Sequence, residues 1–104
     1  MRTIKNAKIK STFLGIEDHG IPTFFINLDY GGAGQGYGGY DLRYYGIEII
    51  LEILKTLEAD SWENLPDIIR VDADYDKVYR IGHIIKDQWF DVEDLKKKVK
   101  KNKL

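Results

Sequence analysis

Cysteine is absent from the 104 residues, which excludes disulfides, thiolate metal sites and cysteine nucleophiles. Histidine is nearly absent: His19 sits in a turn segment and His83 in a strand-like one, without the spacing of metal ligands. Ser11 and Ser61 lie in no nucleophile elbow and have no neighbouring base. The expectation is therefore a protein that is not an enzyme, with no catalytic residues, no metal and no cofactor. No apolar run approaches the roughly 18–20 residues that cross a bilayer. Met1-Arg2-Thr3-Ile4-Lys5 leads straight into alternating polar and apolar residues rather than a signal-peptide block. These absences predict a cytoplasmic protein with no membrane partner.

What is present is a folding composition, 43% hydrophobic and 12% aromatic, in a chain long enough for one core. The net charge of −1 hides a division. Lys96, Lys97, Lys98, Lys100, Lys101 and Lys103 crowd the last nine residues, leaving ten basic against seventeen acidic side chains before them. The reading is one domain over 1–95 followed by a lysine-rich tail, 96–104. An acidic body disfavours nucleic acid and attracts basic protein surfaces.

Period-two alternation over 3–16 predicts a strand with Ala7, Ile9, Ser11 and Phe13 on one side and Lys8, Lys10 and Thr12 on the other. Glu17-Asp18-His19-Gly20 is turn chemistry, and 21–30 makes the second strand of a hairpin. Asp41 is placed to cap a helix over roughly 42–59, with Ile47, Ile50, Leu51, Leu54 and Leu57 as its apolar stripe. Residues 68–74 and 77–86 read as a second hairpin, Trp89-Phe90 as an apolar plug, and Asp91 as the start of a final helix. The order β-β-(β)-α-β-β-α predicts an α+β domain: a small antiparallel sheet of two hairpins packed on one long amphipathic helix.

Residues 30–40 hold six glycines and three tyrosines in eleven positions. Gly34, Gly36 and Gly39 fit G-x-G-x-x-G, but the acid expected at the end of a second parallel strand is missing and the chain is too short for a dinucleotide fold. Two readings stay open: an anion-binding nest of glycine amides helped by Arg43, or an extended segment with one bare face and one carrying Gln35 and Tyr37. Asp72-x-Asp74-x-Asp76 copies the start of a calcium loop, yet Lys77 and His83 replace the required glycine and glutamate. The three aspartates read instead as part of an acidic surface with Glu58, Asp60, Glu63 and Asp67. Tyr30, Tyr37, Tyr40, Tyr44 and Tyr45 cluster beside Gln35, Asp41 and Arg43, a composition suited to binding.

Asp18-His19-Gly20-Ile21, Leu28-Asp29-Tyr30-Gly31-Gly32 and Gly34-Gln35-Gly36-Tyr37-Gly38-Gly39-Tyr40 form a recognisable set with Trp62-Glu63-Asn64-Leu65-Pro66, Arg80-Ile81-Gly82-His83 and Lys86-Asp87-Gln88-Trp89-Phe90-Asp91. Over residues 4–95 the chain resembles small uncharacterised phage and prophage proteins, which supply no catalytic residues. In that group more residues often separate the glycine run from the helix, so the short Tyr40–Gly46 link here implies a reduced loop. The resemblance implies action in the host cytoplasm by binding, against a bacterial defence system.

The first expectation is thus a non-enzymatic inhibitor of an anti-CRISPR kind, binding a defence effector protein such as a CRISPR nuclease complex. Its contacts would be Tyr30, Gln35, Tyr37, Tyr40, Arg43, Tyr44, Asp72, Asp74 and Asp76. The alternatives are a homo-oligomeric sponge, in which glycine amides and Arg43 hold the phosphate of a cyclic nucleotide while a tyrosine stacks on its base, and a phage replication or recombination accessory using the lysine tail.

Overall fold

A computed structural model describes residues 1–102, with side chains described to residue 99. Lys103 of the expected tail, and the side chains of Lys100 and Lys101, lie outside that description. The fold is a small α+β domain with a six-stranded antiparallel sheet and two helices. The strands are β1 (Thr3–Ile16), β2 (Pro22–Asp29), β3 (Gly34–Gly38), β4 (Ile68–Ala73), β5 (Val78–Gly82) and β6 (Trp89–Phe90). The helices are α1 (Gly46–Leu57) and α2 (Val92–Asn102). Strand order is β3-β2-β1-β4-β5-β6, so pairing of β1 with β4 fuses the two expected hairpins into one sheet. The plug at Trp89-Phe90 is its last strand, paired with β5.

The expected face of β1 is right only for its first half. Ala7 and Ile9 face the core opposite Ile69 and Leu28, but the register shifts between Ile9 and Ser11. That bulge adds one residue and exchanges the faces beyond it. Thr12 and Leu14 then pair with Ile26 and Phe24 on the inner side, while Ser11 and Phe13 turn outward opposite Asn27 and Phe25. Strict alternation cannot show such a shift, because both phases look equally regular along the chain.

The glycine run is a strand. Gly31 and Gly32 (φ 85° and 127°) form a two-residue hairpin turn whose positive φ angles match the right-handed twist of the flanking strands. Tyr30 N–H bonds to the Ala33 carbonyl at 2.8 Å, and Gly39 N–H to that of Phe24 at 2.8 Å. Both pairs fall in the continuous β2–β3 register, so the hydrogen-bonded positions of β3 are Gln35 and Tyr37. The amides of Gly34, Gly36 and Gly38 point away from β2, and Gln35 and Tyr37 share the inner face.

Tyr37 is 2% exposed and stands at the centre of the core. Its ring packs on Phe24, Tyr40 and Phe90 with centroids 6.1–6.5 Å apart. Its hydroxyl accepts the Val92 N–H at 3.3 Å, satisfying the first amide of α2. Because β3 and β6 are opposite edges of the sheet, these contacts curl it around its own inner face, where Phe24, Ile26, Leu28, Ile69, Val71 and Ile81 are buried.

Helix α1 starts later and is shorter than expected, spanning 12 residues. The Asp41 carboxylate does not cap it; it takes the Arg43 backbone N–H at 2.9 Å in the preceding turn. Tyr45, at a left-handed φ of 59°, makes the entry, and its carbonyl accepts the Ile49 N–H. The buried stripe is Ile49, Ile53, Thr56 and Leu57, whereas Ile47 and Leu51 are exposed. Burying a side chain such as Ile49 or Ile53 contributes about 1.5–3 kcal/mol. The expected start of the second helix holds: Asp91 Oδ1 accepts the Glu93 N–H at 2.9 Å, ahead of Val92. Lys96 to Lys98 continue α2, so the helix runs through the expected boundary at 95/96.

Glycine is required unequally along β3. A Cβ at Gly38 (φ 140°) would lie 2.2 Å from the Phe24 carbonyl oxygen, while at Gly36 its nearest neighbour is 3.7 Å away. Gly38→Ala is expected to cost more than about 2 kcal/mol and Gly36→Ala to stay within about 1 kcal/mol of wild type, read from denaturant midpoints. Equal costs would contradict the close approach of the Phe24 carbonyl to Gly38.

Candidate functional site

At the end of the curled sheet, β1, the β2–β3 turn and the β4–β5 turn enclose a cleft of about 360 Å³. Tyr30 and Gln35 meet there: the Tyr30 hydroxyl donates to Gln35 Oε1 at 2.6 Å, and Gln35 Nε2 donates to the Asp74 carbonyl at 2.9 Å. Gln35 thereby ties the sheet edge to the β4–β5 turn. Lys5 lies with its ammonium 4.0 Å from the centroid of the Tyr30 ring, a cation–π contact. Partial burial pushes the Tyr30 hydroxyl above the ordinary tyrosine range, keeping it a donor. Ala33, Gly34 and Thr3 supply walls with little or no side chain, and Tyr75, fully exposed, stands at the rim. The cleft joins the Lys5 ammonium, the Tyr30 and Tyr75 side chains, the Gln35 amide and bare backbone.

The outer face of β4–β6 holds a second polar assembly. Asp72, 6% exposed, accepts from Arg2 Nε and Nη2 at 3.1 and 2.8 Å and from Arg80 Nε at 2.8 Å. The Arg2 hydrogen bonds, and after them those from Arg80, hold the Asp72 carboxyl below the usual carboxylate range despite its burial. The Trp89 ring lies over Gly82, where a Cβ would come within 2.7 Å of it, and the Arg80 and Arg70 guanidinium carbons stand 4.3 and 4.9 Å from its centroid. Arg70 also donates to the His83 and Lys86 carbonyls, both at 2.7 Å, fixing the β5–β6 loop.

The remaining candidates separate. Tyr37 is in the core, and half-buried Tyr40 stacks on Phe24, so neither offers a free ring face of the kind expected of an anchor. Arg43 is engaged by Asp41, with Nη2 to Oδ2 at 2.8 Å, beside exposed Tyr44. Extended backbone sends successive amides of β3 in opposite directions, so Gly34–Gly38 form no anion nest. The dinucleotide-type spacing lies within an antiparallel edge strand. Asp72 is covered rather than displayed, and Asp74 is occupied by the Asp76 and Lys77 amides and the Tyr79 hydroxyl. Of the three aspartates only Asp76 stands exposed. Among the described residues no group of three or more acidic or histidine side chains is placed to hold a metal ion. No protein family, curated protein or solved structure matches the chain.

Sequence reasoning passed over Lys5, Arg2 and Trp89. Arg80 opposite Asp72 follows from hairpin register and Lys5 meets Tyr30 along the β1–β2 hairpin, but Arg2 reaches Asp72 only through the long-range pairing of β1 with β4.

Asp72 gives a pH prediction. Its folded pKa is depressed, so its contribution is present above the unfolded value of about 3.9 and is lost as pH falls through the lower folded value. Asp72→Asn is expected to cost about 2 kcal/mol near pH 7. The gap between variant and wild-type stability should close as unfolding is followed into the acid range below pH 4. A gap unchanged with pH would contradict the double arginine pairing.

Proposed function

We propose that this protein is a non-enzymatic, phage-type inhibitor of a bacterial defence system that acts by retaining a small cyclic nucleotide. The observation that carries this reading is the joining of Lys5, Tyr30 and Gln35 at one cleft with bare-backbone walls. A nucleobase that takes the Tyr30 face releases the Lys5 ammonium for a phosphate, so the two contacts exchange together. Gln35, bonded to the Tyr30 hydroxyl and to the Asp74 and Tyr75 carbonyls, holds the Tyr30 ring in place for a base. The phosphate ligand is thus Lys5, in place of the glycine amides and Arg43. A small anionic ligand also avoids the repulsion that the acidic body of the chain exerts on long nucleic acids.

A second reading keeps the effector protein as the target. Exposed Asp60, Glu63 and Asp67, near one another in sequence after α1, favour it, since an acidic surface can occupy a basic groove, whereas Glu58 is paired with Lys86 and Asp76 lies past the other end of β4. That surface no longer includes Asp72.

Calorimetric titration with a panel of cyclic dinucleotides separates the two. The sponge reading expects saturable binding that Lys5→Ala and Tyr30→Ala each weaken by about tenfold or more, with Glu63→Gln and Asp67→Asn without effect. No binding across the panel, together with stoichiometric recovery of a CRISPR effector on the tagged protein, would overturn it in favour of the acidic surface.

A further inference from the structure

We propose that β3 is a self-pairing edge, through which two copies of this chain join their sheets into one about a two-fold axis at Gly36. The two edges of the sheet are treated differently. β6 is only two residues long, is flanked by Asp87 and Asp91, and leads directly into α2. Short strands and flanking charge are the usual protection against strand addition. β3 carries no charge and no proline, and neither does any residue from 30 to 40.

Its hydrogen-bonding phase is self-complementary. The outward main-chain groups belong to Gly34, Gly36 and Gly38, which are symmetric about Gly36. An antiparallel copy placed with Gly36 opposite its own equivalent sets Gly34 against Gly38 and Gly38 against Gly34. Three N–H and three C=O groups on each strand are then satisfied, about six inter-chain bonds in all. The absent side chains allow the approach: the outer surface of β3 is flat backbone, bordered by the half-exposed Phe25 ring beside Gly39. On the inner side the fully exposed Tyr75, next to Gln35, is placed to cover the added strand. The inference is independent of the nucleotide reading, because a monomer can hold a ligand and a dimer can lack one.

Gly36 supplies the test. Its N–H points away from β2, so proline there removes an outward donor without breaking the β2–β3 ladder, and lysine there meets the Asn27 Oδ1 only at ordinary contact distance, 3.7 Å, while placing like charges at the two-fold axis. Sedimentation of the ligand-free wild type from low-micromolar to near-millimolar concentration should show a mass approaching twice 12.1 kDa. Gly36→Pro and Gly36→Lys should self-associate at least about tenfold more weakly with unchanged far-ultraviolet circular dichroism. A wild type that stays monomeric throughout overturns the proposal, as does a dimer that both substitutions leave intact. Should the proline variant fail to fold, the lysine variant decides; failure of Gly36→Lys to fold would itself contradict an open edge.

Discussion

The Tyr37 side chain joins the first strand of the sheet to the last strand and to the helix that follows it. Its ring lies against Phe24 on β2 and Phe90 on β6, and its hydroxyl accepts the first amide of α2. Burial pushes that hydroxyl far above the ordinary tyrosine range, so it remains a neutral partner at any physiological pH. A flat six-stranded sheet with one short helix on it would leave much of its inner face wet. Curling β3 toward β6 lets the sheet cover itself, and α1 and the turn at Trp62–Asn64 close what remains.

The glycines follow from that constraint. Tyr37 and Gln35 must both point inward from an edge strand whose neighbours approach closely, and the alternate positions have no room or no need for a side chain. At Gly38 the Phe24 carbonyl occupies the space, and at Gly34 the Leu28 carbonyl does, 2.6 Å from where a Cβ would stand. Two residues back from Tyr37, on the same face, Gln35 reaches the β4–β5 turn and helps shape the cleft with Tyr30 and Lys5. One strand therefore closes the core at one end and lines the candidate site at the other, so core and site share a single register.

Much of this was legible in the sequence. The two hairpins, the bare and decorated faces of an extended glycine run and the Asp91 cap all follow from local pattern. Non-local features did not show. The bulge at Ile9–Ser11 reverses the face of β1 without disturbing its alternation. The stripe that spacing gives α1 is out of phase with the buried one because Ile47 and Leu51 are apolar yet exposed, while Thr56 is buried. Asp72 reads as surface charge because one of its partners, Arg2, arrives through the distant pairing of β1 with β4. Tyrosines that looked like one binding surface divide into core (Tyr37), half-buried stack (Tyr40), loop (Tyr44) and site (Tyr30), a division that spacing alone does not encode.

Residue-resolved amide hydrogen exchange across 30–40, in dilute protein, tests the central claim that the glycine run is a phased edge strand closed by Tyr37. The account predicts strong protection of the Gln35, Tyr37 and Val92 amides with fast exchange at Gly34 and Gly36. Uniformly fast exchange from 34 to 38 would show a loop in place of the strand, and would remove the register on which both the core closure and the cleft depend.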